Sequence, residues 1–354
     1  MNLIFTFGVT KQQNNLINLK NNIMKKVILS LLFISSLVLN AQDTEDKGTF
    51  TLSGSVDVYH TSNLKSGSPG SVGILYGGSG TPNGFGLGMA NTIFSYEKGK
   101  SGVVADLTFG PRANAANAYE GAINQLYAYY NASEKVTFTL GQFNTFFGYE
   151  VISPTGNFFY SVSYLFNAGP FSHTGLKLDY TASEDLSFMV AVTNPHGITD
   201  GANPSNDYQL GLQAGYKGQY LNLAYGADGF GDTDVLYLDY TGGFNATESF
   251  YVGINAAYSN SDDADAGYQG VALYLQNTFT DKFSLGFRPE LFTYTSGAND
   301  TSVSAFTLSA NYSLTDSLKI IPEIRMDSSS DLIIPGFPAE KNMSGATIAA
   351  VYSF

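Results

Sequence analysis

The sequence contains no cysteine and no tryptophan. Without cysteine there is no disulfide scaffold, no thiol nucleophile and no thiolate site for zinc or an iron–sulfur cluster. Charge is scarce as well. Asp, Glu, Lys and Arg make up 13% of the 354 residues, about half of the roughly 25% usual in soluble proteins. Positive charge is the scarcer sign, with 17 Lys and Arg against 30 Asp and Glu, a net charge of −13. That balance argues against a nucleic-acid partner, whose phosphates need clustered cations. Beyond residue 41 no apolar run reaches the roughly 18 residues of a spanning helix. What fills the chain instead is Gly (38), Tyr (24), Phe (26) and many hydroxyl and amide side chains. Aromatic content of 14% argues against disorder.

The N-terminus reads as a targeting segment. Met24, Lys25 and Lys26 precede an apolar run over residues 27–39, followed by Asn40, Ala41 and Gln42. A basic start, a short apolar core and a small residue at the cut describe a secretory signal peptide, expected to be cleaved after Ala41. Residues 1–23 have no clear role, so Met24 is the expected true start. Residues 42–354 then form one domain, with 13 basic against 30 acidic residues.

The signal that dominates this domain is alternation with period two. Val136, Phe138 and Leu140 alternate with Thr137, Thr139 and Gly141, and Leu318, Ile320, Ile324 and Met326 alternate with Lys319, Glu323 and Arg325. Helical stripes are not evident. Such segments predict about sixteen strands, at 49–60, 87–98, 102–110, 121–131, 135–147, 172–181, 186–194, 207–217, 219–227, 233–242, 249–259, 267–279, 282–295, 301–314, 318–327 and 343–354. The connections alternate too. Short ones, such as Gly218 and Asp281, are interleaved with long ones at 61–86, 111–120, 148–171, 195–206, 228–232, 260–266, 296–300 and 328–342.

Short turns at one end and long loops at the other are the layout of an all-β, transmembrane antiparallel barrel. The even count places both termini at the short-turn, periplasmic end. The non-apolar strand face carries Asp57, Asp106, Lys177, Asp179, Asp239, Arg288, Glu290, Glu323 and Arg325, which a soluble sandwich would have to bury. In a barrel that face lines a wet lumen, and closure pairs every backbone group at membrane depth. Aromatics near strand ends (Tyr59, Phe94, Tyr96, Phe109, Tyr129, Tyr180, Phe279, Phe292, Tyr294, Tyr352) are expected to form the interfacial girdles. Tyr352 and Phe354 end the last strand in one register, which resembles the signal that outer-membrane barrels present to their assembly machinery.

Residues 141–180 read GQFNTFFGYEVISPTGNFFYSVSYLFNAGPFSHTGLKLDY. This stretch resembles the hallmark of the OmpL-like β-barrel porins. The matching pieces are Gly141-Gln142-Phe143, Gly148-Tyr149-Glu150-Val151, Pro154, Asn157, Tyr160-Ser161, Phe166, Pro170 and His173-Thr174-Gly175. Where the family's pattern places a basic residue after the Tyr-Ser pair, this chain has Val162, which removes an anion-attracting role there. The resemblance implies an outer-membrane pore of a Gram-negative bacterium.

Segment 148–171 is aromatic and nearly uncharged, which suits open water poorly. It is expected to fold into the barrel and narrow the lumen, presenting Tyr149, Glu150, Asn157, Tyr160, Ser161 and Ser163 to solutes. The alternative is packing over the rim or on a neighbouring subunit. His173, Lys177 and Asp179 follow on one strand face, and Arg288, Glu290, Glu323 and Arg325 complete the expected lumen set. His173 reads as a hydrogen-bonded lumen histidine, with a pH-sensitive gate as the sharper alternative. His60 and His196 look incidental. Asp228, Asp232 and Asp234, and Asp262, Asp263 and Asp265, lack the spacing of a calcium loop. They read as solvated tips, with a divalent bridge to lipopolysaccharide as the alternative. Glycine-rich residues 71–88 lack the lysine of a phosphate cradle. No cofactor or metal is therefore expected.

Passive diffusion of small hydrophilic solutes is the reading that these features favour, with mild cation preference from the acidic excess. A binding or adhesion barrel is the alternative. A barrel-embedded hydrolase is disfavoured, since none of the three histidines sits beside a nucleophile motif. Further expected partners are outer-membrane lipid and lipopolysaccharide, the assembly machinery and, by analogy with sixteen-stranded porins, two more copies in a homotrimer.

Overall fold

The computed structural model describes residues 48–64, 83–116, 122–195, 203, 206–227, 233–261, 266–297, 299–331 and 341–354. The expected signal peptide, His196 and most of the acidic loop tips lie outside these residues.

Sixteen antiparallel strands close into one barrel in chain order, with β16 hydrogen-bonded to β1. They are β1 (Thr49–Asn63), β2 (Gly84–Lys98), β3 (Ser101–Phe109), β4 (Ile123–Ser133), β5 (Val136–Asn144), β6 (Ser172–Thr181), β7 (Leu186–Thr193), β8 (Gln209–Tyr216), β9 (Gln219–Ala227), β10 (Asp234–Asn245), β11 (Phe250–Ser261), β12 (Ala266–Thr280), β13 (Phe283–Ser296), β14 (Asn299–Ser313), β15 (Leu318–Ser329) and β16 (Asn342–Ser353). Every strand read from the alternation is present, because a two-residue period puts one set of side chains on each face of a sheet. The outward set is aliphatic and aromatic. Leu126, Leu140, Leu221, Leu291, Leu308 and Ile348 are all exposed. Buried polar residues take the inward set.

The short connections obey turn chemistry. Tyr216 pairs with Gln219 across Lys217 (φ 50°) and Gly218 (φ 77°), the two positive φ angles of a type I′ hairpin.

Four expectations need correction. The connection expected at 296–300 is only residues 297–298, because Asn299 and Asp300 pair with Ser296 and Thr295 and extend the ladder. Likewise Asn260 and Ser261 of β11 pair with Gly267 and Ala266 of β12, so the ladder extends into the connection expected at 260–266. Among the described residues, two short α-helices occur where none was expected, α1 (Pro111–Ala116) and α2 (Tyr164–Ala168); neither is long enough to show a period. Three of the expected girdle aromatics face inward. Tyr59 packs at a tilt against Tyr160 and Phe292 stacks on Tyr164, while Tyr129 shares the inner register with Gln125, which donates to Asp106.

At the seam, the last residue continues the ladder. Phe354 N–H donates to the Gly54 carbonyl and Gly54 N–H to that of Phe354, both at 3.0 Å. A side chain at position 54 would meet the Phe354 ring and the Asn91 carbonyl. Deleting Phe354 removes both bonds, each worth about 0.5–1.5 kcal/mol net, at the one junction that closes the sheet. The expected result is a smaller fraction of folded barrel, read as loss of the fast-migrating species in unheated electrophoresis.

Candidate functional site

The connection from β5 to β6 spans residues 145–171 and enters the barrel. Its root is closed by Thr145 N–H donating to the Phe171 carbonyl at 3.1 Å. Beside the root, His173 is buried. Its Nε2 lies 2.9 Å from Thr145 Oγ1 and its ring stacks on Phe146 at 4.6 Å. From there the chain follows the inner wall. Gly148 N–H donates to Asp239 on β10 at 3.0 Å, and Tyr149 stacks on Tyr274 of β12 at 4.0 Å. Farther on, the Phe158 carbonyl accepts from Asn311 on β14 at 2.8 Å. The Phe158 ring crosses Gly286, where a Cβ would strike it.

Residues 160–165 then run without a strand partner, and side chains take the place of a ladder. Three consecutive carbonyls accept from three guanidinium groups. Arg112 of α1 donates to Tyr160 O at 3.0 Å, Arg288 of β13 to Ser161 O at 2.7 Å, and Arg325 of β15 to Val162 O at 2.6 Å. The amides are met by carboxylates. Tyr160 and Ser161 N–H donate to Glu323 at 3.0 and 3.2 Å, Ser163 N–H to Glu150 at 2.7 Å, and Tyr164 and Leu165 N–H to Glu290 at 3.0 and 2.9 Å. Glu290 thus meets the open N-terminal amides of α2, while the Ser163 hydroxyl caps Phe166 N–H at 3.0 Å.

The wall can do this because Arg288 and Glu290 are two residues apart, as are Glu323, Arg325 and Asp327. Each set therefore points one way. Glu150 and Arg288 pair at 2.5 Å, and Arg325 and Asp327 at 2.8 Å. The Tyr160 and Tyr164 hydroxyls donate to Asp57 and Asp327 at 2.6 and 2.9 Å. Burial raises both phenols above their ordinary pKa, so both stay neutral donors. An apolar core fills the rest of the contact, with Ile152, Phe159, Val162, Leu165 and Phe166 against Ala272, Tyr274, Phe292, Val303 and Ala305.

This geometry corrects the expectation of a wet, charged lumen face. Asp57, Asp106, Asp239, Arg288, Glu290, Glu323 and Arg325 are all buried. Of the charged strand residues named from sequence, only Lys177 and Asp179 keep substantial exposure, paired at 3.0 Å. It also corrects the face that the loop presents. Glu150, Asn157, Tyr160, Ser161 and Ser163 are buried and spend their polar atoms inside the protein, Asn157 by clamping both backbone groups of Val151. Tyr149 is half-buried against the wall. What the loop shows to water is the turn around Pro154–Gly156, with Val151, Thr155 and Gly156 exposed and Ser153 partly so. Arg112 and Asp327 escaped the sequence reading. Asp327 shares the inward register of Glu323 and Arg325, a usable signal, whereas nothing local marks Arg112.

The family model described as "Putative beta-barrel porin-2, OmpL-like" matches residues 49–354. The chain belongs to that family. Solved outer-membrane proteins share the architecture. The anion-selective porin from Comamonas acidovorans has a TM-score of 0.61 at 12% identity, covering 87% of this chain and 100% of its own. OmpT of Vibrio cholerae has a TM-score of 0.55 at 12% identity, covering 89% and 100%. A trimer form of OmpT, in-vitro folded, gives 0.56 at 12% identity, covering 87% and 99%. At these identities the likeness is one of fold. A comparison with curated proteins gave no match. Family and fold together make this chain a porin of the Gram-negative outer membrane.

Proposed function

We propose that the porin passes small hydrophilic solutes by passive diffusion through a lumen narrowed by residues 145–171. The observation that carries this reading is the anchoring of residues 160–165. A segment whose backbone is bonded by six wall and loop side chains is a fixed part of the channel cross-section. Passage is then set by the remaining width and by the charge around it. Among the described residues, seven buried carboxylates (Asp57, Asp106, Glu150, Asp239, Glu290, Glu323, Asp327) face three guanidinium groups. That excess of negative sign supports cation preference. A homotrimer, as in the trimer form of OmpT, is the assembly proposed for this chain.

Conductance of the purified protein in planar bilayers tests the reading. Steady unitary currents are expected, with a reversal potential in a KCl gradient displaced toward that of potassium. Anion selectivity would contradict the charge argument. Absence of any current would favour a loop-presenting adhesion barrel instead.

A further inference from the structure

Three inner-wall tyrosines, Tyr129, Tyr220 and Tyr251, lie toward the short-turn end of their strands, with Tyr251 bonded to Tyr149 near the start of the inner loop. Tyr129 on β4 is paired directly with Gly102, and Tyr220 on β9 with Gly215. A Cβ at either glycine would come within 2.5 and 2.8 Å of the ring atoms. Tyr251 on β11 crosses Gly243 of β10 in the same manner. Each ring, or its hydroxyl end, therefore lies over bare backbone. None is fully buried, and Tyr220 is 36% exposed. Their registers are inward. Tyr129 follows Gln125, Tyr220 precedes Asn222, and Tyr251 precedes Asn255, and all three of those amides bond to inner-wall groups.

Around these platforms the inner wall is amidic. Asn131, Gln213 and Gln276 are partly exposed there. Fixed charge nearly cancels. Glu97 accepts from the Tyr129 hydroxyl, Asp179 pairs with Lys177, and Lys319 shares the inward register of Glu323. Flat aromatic faces, amides that both donate and accept, and little net charge form one chemical combination. The rings take the C–H face of a pyranose, and the amides take its hydroxyls. The Glu97 carboxylate on the Tyr129 hydroxyl brings one negative charge to the platforms, and the lysines on the same inner face offset it.

We propose that the periplasmic half of the lumen is a saccharide-binding surface, with Tyr129, Tyr220 and Tyr251 as stacking platforms and neutral sugars as the solute class. The inference rests on the diffusion reading and adds the solute to it. The test is single-channel recording of the full chain, with maltotetraose or chitotetraose added from the short-turn side. Brief, concentration-dependent blockades are expected. Replacing the three tyrosines by Leu keeps an apolar cover on the glycines but removes the rings, and should weaken blockade by about tenfold or more. The triple Tyr→Phe variant should retain most of it. Blockade by neither saccharide in a conducting pore would overturn the inference and leave the diffusion reading intact. So would equal blockade by arginine or glutamate, or an unaltered Leu variant. A chain that carries no current overturns both readings.

Discussion

Replacing Arg288 by Ala is expected to free the inner loop and to raise and roughen the unitary conductance. The Arg288 guanidinium bonds Glu150, the Ser161 carbonyl and hydroxyl, and Thr307, and lies 5.1 Å from the Phe159 ring. Its removal strands a buried carboxylate and a buried carbonyl together. Breaking a buried ion pair from one side costs about 3–5 kcal/mol. The strand ladder does not depend on this side chain, so the cost falls on docking of the loop rather than on closure of the barrel. Folding should therefore survive, seen as unchanged heat-modifiable migration, while chymotrypsin gains access at Phe158 and Phe159. Changing Glu150 to Gln together with Arg288 to Met should recover part of the loss, since no unpaired charge then remains. Unchanged conductance and protease resistance in Arg288→Ala would mean that the apolar core alone holds the loop.

The barrel was legible in the sequence, and the lock was not. A strand declares itself through neighbours two residues apart, as in Leu318, Ile320, Ile324 and Met326, and this local rule survives in all sixteen strands. Connections are less local. Residues 299–300 read as loop because they are polar, yet beyond the apolar band a strand can continue with polar residues on both faces. The loop's inward path could be read from its aromatic content, since Phe159 and Phe166 need cover. Its contacts could not. Glu323 lies 163 residues from Tyr160 and Glu290 lies 126 from Tyr164, and alternation says only that these carboxylates face inward. Reading an inward charge as water-facing fails here because the loop backbone of 160–165, lacking a ladder, needs buried acceptors and donors. Inward tyrosines such as Tyr129 misled in the same way, for a strand-end aromatic has the same composition whether it meets lipid or covers an inner glycine.

The paired variant Glu290→Gln, Glu323→Gln attacks the same segment from the opposite sign. Each carboxylate now accepts two backbone amides with two oxygens. A glutamine of nearly the same volume offers one oxygen and turns an N–H₂ group toward the second amide. One charge-assisted bond is lost at each site, each worth about 1.5–3 kcal/mol, and a donor is left facing a donor. Both sites grip one short stretch of chain, so the two losses should couple rather than add. Conductance should rise and become irregular, as for Arg288→Ala. The reversal potential separates the two. Removing Arg288 leaves the interior more negative and should strengthen cation preference, whereas removing Glu290 and Glu323 should weaken it. Opposite shifts in selectivity with parallel gains in conductance are the outcome expected if these side chains both hold the loop and set the field of the pore. Shifts of the same sign would show that loop position alone governs selectivity.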